Sequence, residues 1–161
     1  MDVYSPLIYG YCRKRNVQSQ DAADVTQEVL IRVNRAIATF EYSREHGMFR
    51  DWLAKIVSNE LARFWGKQGD VKPLDHASGA VDNQLWQENF HEHILAAALL
   101  RTEPHFESQT WRLFTESWIE KKSAAAIAAE QRTEVDQVYV AKSRVLKRLK
   151  HEVNALAEDS P

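Results

Sequence analysis

Between Asp21 and Phe40, Val25, Val29, Val33, Ile37 and Phe40 recur at steps of three and four residues. That spacing places them on one face of an amphipathic helix. Asp24, Gln27, Glu28 and Arg35 fall on another face, with Ile31 stranded among them. An apolar residue inside a polar rim suits docking, because its burial gains free energy while the rim sets register. The plainer reading is a solvated face with one exposed isoleucine.

Composition narrows the fold. Five Gly and four Pro in 161 residues disfavour a turn-rich β architecture. The length admits one medium domain or two small ones, and 44% hydrophobic residues suffice for packed cores. No run approaches the roughly 18 apolar residues of a membrane span, so no membrane insertion is expected. The N-terminus lacks a charged-then-apolar leader pattern. Cys12 is the single cysteine, which excludes an intramolecular disulfide. These features predict a soluble cytoplasmic protein. The formal net charge of −2 argues against a strong stand-alone DNA binder. Cations nonetheless cluster at Arg13, Lys14 and Arg15, and again at Lys142, Arg144, Lys147, Arg148 and Lys150.

In chain order, Tyr4, Leu7, Ile8, Tyr11 and Cys12 follow helical spacing, with Pro6 suited to a first turn. Arg13 to Arg15 read as a solvated helix end. Ser19 or Asp21 can cap the second helix, which runs to about Phe40. A polar loop, Glu41 to Met48, follows. A third helix begins at Phe49, with Phe49, Trp52, Leu53, Ile56, Val57, Leu61 and Phe64 on its apolar face. Phe49 and Trp52 are expected in the core. Arg50, Lys55, Asn59, Arg63 and Lys67 lie mainly outside that stripe.

Gly66 to Asn83 is rich in Gly, Asp, Ser and Asn and weak in periodicity, which marks a linker. Domains are therefore expected over residues 1–67 and 84–161, joined by residues 68–83. Leu85 to Arg101 reads as a helix with Leu85, Trp86, Phe90, Ile94, Leu95 and Ala98 on one side. Pro104 to Lys121 reads as another, with Trp111, Phe114, Trp118 and Ile119 inward. Ser123 can cap a short alanine-rich helix, Gln131 to Thr133 turn the chain, and a last helix runs from Glu134 to about Leu156. Val135, Val138, Val145, Leu149 and Val153 are expected inward, and Thr133 with Asp136 has capping-box spacing. Val140, Ser143, Arg144 and Lys147 share the opposite face, which can enter a major groove. The expected fold class is all-α: two small helical domains joined by a flexible linker, the C-terminal one a helix-turn-helix.

No catalytic constellation emerges: there is no phosphate-cradling glycine loop, no HExxH helix and no nucleophile motif. His91 and His93 are two apart, on different sides of a helix, and do not converge as metal ligands. No enzyme activity, metal or cofactor is expected.

Asp24, Val25, Gln27 and Glu28, followed by Phe40, Gly47, Phe49, Trp52, Leu53, Ile56 and Asn59, resemble the second conserved region of bacterial sigma-70 family RNA polymerase sigma factors. The match is to the small extracytoplasmic-function (ECF) type. Near the C-terminus, VYVAKSRVLKRL resembles the last helix of the same family. The resemblance implies a transcription initiation factor. Residues 1–67 would be a region 2-like domain for polymerase docking and for recognition and melting of the −10 element. Residues 84–161 would be a region 4-like domain that recognises the −35 element. The implied docking face for the clamp coiled coil of core RNA polymerase is Asp24, Gln27, Glu28, Ile31 and Arg35. The implied −10 contacts are Tyr42, Ser43, Arg44, Glu45, His46, Arg50, Lys55, Asn59 and Arg63. Gln137, Val140, Ser143, Arg144, Lys147 and Arg148 are the implied −35 contacts. Promoter DNA, duplex and single-stranded, is the second partner, and small members are often held by an anti-sigma factor. Two departures stand out: Arg132 occupies a turn position that commonly holds Gly, and Gln131 one that is commonly apolar. Two other readings stay open, a stand-alone helix-turn-helix regulator and a helical adaptor that binds protein and no DNA.

Overall fold

The computed structural model describes residues 4–39, 49–69 and 82–158. Among them every regular element is helical and no strand occurs. The order is α1 (Tyr4–Lys14), α2 (Ser19–Ala36) with a 3₁₀ turn (Ile37–Thr39), α3 (Phe49–Gln68), α4 (Asn83–Thr102), a 3₁₀ turn (Glu103–His105), α5 (Ser108–Phe114), a π-helical turn (Thr115–Ile119), α6 (Ala124–Gln131) and α7 (Val135–Glu158). The all-α expectation holds. The loop 41–48 lies outside the described residues, as does most of the expected linker.

The chain forms two compact units. The described residues of the first run to His93 and those of the second start at Ile94. The division falls inside α4, whereas the sequence suggests it at the linker. The reason is what the first turns of α4 touch. Trp86 is buried with its ring edge-on to Tyr11 at 5.0 Å. The buried Asn89 donates Nδ2–H to the Leu7 carbonyl at 2.9 Å. Lys14 pairs with Glu92 at 2.6 Å, and the Arg50 guanidinium lies 5.6 Å from the Phe90 ring centroid.

In the first unit, Leu7, Ile8 and Tyr11 of α1, Val25, Val29 and Val33 of α2, and Phe49, Leu53, Val57 and Leu61 of α3 make one apolar core. The valine stripe of α2 thus packs as its spacing requires. Its capping differs from expectation. Gln18 is the N-cap residue and makes no side-chain cap bond, and Ser19 already lies inside the helix. The basic triplet is a further correction. Arg15 is buried, donates Nη1–H to the Tyr11 hydroxyl at 3.0 Å, and lies over the Tyr11 and Trp65 rings. Arg13 Nη1 donates to the Val17 carbonyl at 2.7 Å, tying the turn that Asn16 makes at φ 62°. The thiol of Cys12 is buried in this core, and burial pushes its pKa up to about 12.

In the second unit, Leu113, Ile127, Ala128, Val138 and Ala141 form the core. The single helix expected over Pro104 to Lys121 is broken. Glu103 to His105 form a 3₁₀ turn and Phe106 is extended, so α5 starts only at Ser108. Pro104 has no N–H to continue the ladder of α4. Phe114 is buried between the rings of Trp111 and Trp118, at 5.2 and 5.4 Å. Ile119 and Val135, both expected inward, are exposed. The π turn advances Ile119 past the core, and Val135 is the first residue of α7.

Candidate functional site

Three surfaces carry the residues singled out in the sequence. The first lies on α2. Asp24, Gln27, Glu28, Ile31 and Arg35 are all exposed, at offsets of three, four, seven and eleven from Asp24. They form one stripe opposite Val25, Val29 and Val33. Ile31 is 43% exposed in its middle, an apolar centre with a polar rim.

The second surface is a pocket of about 360 Å³ between α2 and α3, lined by Arg32, Arg35, Ala36, Trp52, Ile56, Asn59, Glu60 and Arg63. Its floor is organised by Glu60, a carboxylate only 7% exposed. Glu60 Oε1 pairs with the guanidinium of Arg32 from α2 and with Arg63 Nη1 at 2.9 Å from its own helix. Three guanidiniums against one carboxylate leave two positive charges at the pocket. Trp52, expected in the core, is half-buried. Its ring sits 5.3 Å from Phe49, which is core, and it lines the pocket as well. Such a pocket offers an aromatic face, an apolar wall, an amide and cations, the groups that hold an unstacked base and its phosphate.

Of the sequence-derived −10 residues, Asn59 and Arg63 meet at this pocket. Lys55 is exposed outside its lining, while Arg50 is engaged by Phe90 and by Asp51 at 3.5 Å. Tyr42, Ser43, Arg44, Glu45 and His46 lie outside the described residues. Arg35, assigned in the sequence to the docking stripe, also reaches the pocket rim. Arg32 and Glu60 were missed. The signal for Glu60 was present: an acid between the apolar positions Val57 and Leu61, with Arg63 one turn on.

The third surface is built by α6 and α7. Ser123 Oγ accepts from the Ala126 N–H at 3.2 Å and caps α6, as its sequence position suggests. Arg132 closes the helix in the left-handed region, φ 52° and ψ 49°, and its N–H donates to the Ala128 carbonyl. That is the conformation glycine adopts without strain. Gln131 has a polar partner, the buried Glu116. At the start of α7, the Thr133 hydroxyl donates to Gln137 Oε1 in place of the expected Thr133–Asp136 pair. Along α7, Gln137, Val140, Ser143, Arg144 and Lys147 are exposed. Arg148 stands apart from them. It pairs with Glu152 at 2.6 Å and reaches His105 Nε2 at 3.0 Å.

Residues 1–70 match the family model described as Sigma-70 region 2. Over these residues the chain is similar to a Sigma-70 region 2 domain. The α2 stripe and the α2–α3 pocket both lie within it. The match covers 70 of the 161 residues. No curated protein matches the chain. Among the described residues, no group of three or more His, Cys, Asp or Glu is placed to hold a metal ion, and no helix is long and apolar enough to cross a membrane.

Proposed function

We propose that this chain is an ECF-type sigma factor that binds core RNA polymerase and directs it to promoters through their −10 and −35 elements. The α2 stripe carries the reading. Asp24, Gln27, Glu28, Ile31 and Arg35 share one exposed face inside the Sigma-70 region 2 domain. Ile31 supplies apolar area to bury against the clamp coiled coil, and the polar rim supplies register. The cationic, aromatic pocket beside it suits the non-template strand once the −10 element opens. The outward face of α7 suits the major groove of the −35 duplex, with Arg144 and Lys147 as its cations. Chemistry stays with the polymerase.

The test is co-purification with bacterial core RNA polymerase. Wild-type chain forms a stoichiometric complex, and Asp24→Ala or Gln27→Ala weakens it. Arg144→Ala and Lys147→Ala leave that complex intact and lose promoter-directed transcription. A complex indifferent to both α2 substitutions removes the stripe from the polymerase interface.

A further inference from the structure

The face of α7 that points away from the core carries two large apolar side chains in the open: Tyr139 is 60% exposed and Val140 55%. With 3.6 residues per turn, Val140 lies at the centre of a patch bounded by Asp136, Ser143, Arg144 and Lys147. Tyr139 stands at its edge beside Ser143. Among the described residues Arg144, Lys147 and Lys150 have no ion pair, whereas Arg148 on the flank is held by Glu152. The face is therefore an apolar spot flanked by cations that no described residue neutralises. A protein partner matches this poorly, because interface cores are depleted in Lys. A duplex matches both parts. Its phosphates meet the cations, and the floor of its major groove presents one apolar group, the thymine 5-methyl. Gln137, an amide on the flank of the face, is already engaged by Thr133.

We propose that Val140, with Tyr139 at its edge, is a specificity-determining residue that reads a thymine 5-methyl group in duplex DNA. The inference rests on the DNA-binding role proposed for α7 and adds the base it selects. Val140 and Arg144 are four residues apart, about 6 Å along the helix axis.

The test selects duplexes from a random pool, with the full chain alone at low salt and assembled with core RNA polymerase. Each thymine of the enriched site is then replaced by deoxyuridine, which lacks only the methyl. One replacement weakens wild-type binding about four-fold, the worth of one buried methyl, and leaves Val140→Ala binding unchanged. Val140 is exposed and alanine favours helix, so the variant folds. An enriched site with no deoxyuridine-sensitive thymine overturns the inference and leaves DNA binding by α7 standing. Enrichment of no sequence in either format overturns both.

Discussion

Gln131 Nε2 donates a hydrogen bond to Oε1 of the buried Glu116 at 2.9 Å. Glu116 sits in the π-helical turn and Gln131 is the last residue of α6, so one bond joins that turn to the end of α6. Arg112 Nε donates to the same oxygen at 3.2 Å, while Glu116 Oε2 has no hydrogen-bond partner among the described residues. A buried carboxylate held by so few donors is sensitive to the loss of any one.

Gln131→Leu is accordingly expected to destabilise the C-terminal unit by about 1–3 kcal/mol, the cost of a buried acceptor losing a partner. Glu116→Leu combined with Gln131→Leu deletes both partners and recovers most of that loss. Urea unfolding of the single and double variants measures the difference. Equal loss in the two would show that the bond does not couple them.

Arg132 gives the opposite expectation. A non-glycine residue in the left-handed region costs about 1–2 kcal/mol. Glycine returns about 0.5–1 kcal/mol of that as extra freedom in the unfolded chain. Arg132→Gly therefore stabilises the C-terminal unit by about 0.5–1 kcal/mol, visible as a higher urea midpoint. A lower midpoint would mean that the Arg132 side chain contributes more than its backbone costs.

Trp86 tests whether the start of α4 belongs to the N-terminal unit. Trp86→Ala removes the ring packed against Tyr11 and costs about 3–5 kcal/mol. Hydrogen exchange at the α1 amides should accelerate with it. Unchanged protection of α1 would separate α4 from that core.

Cys12 sets a pH dependence. Its thiol titrates near 12 in the folded chain, against an ordinary value of 9.0. Between those values the unfolded chain has released the proton and the folded chain retains it. Stability therefore falls as pH rises through that window. Cys12→Ala flattens the slope above pH 9, by at most about 1.4 kcal/mol per pH unit. The same burial predicts slow alkylation by iodoacetamide at pH 8 until the chain unfolds. Fast alkylation of folded protein would contradict the buried thiol.

The local grammar of the chain was readable without coordinates. Val25, Val29 and Val33 dictate which side of α2 is buried, since their period matches the helix, and the exposed stripe from Asp24 to Arg35 follows by subtraction. Ser123 caps α6 because its hydroxyl can reach an N–H three residues on, a relation that needs no tertiary contact. What the tertiary structure alone decided is the fate of charged and amide groups. Arg15 is inside, Glu60 joins α2 to α3, Glu116 ties down Gln131, and Asn89 holds α4 to α1 across 82 residues of sequence. Burying a polar group is favourable only when a partner meets it. Such partners come from other helices, so periodicity along one helix cannot reveal them.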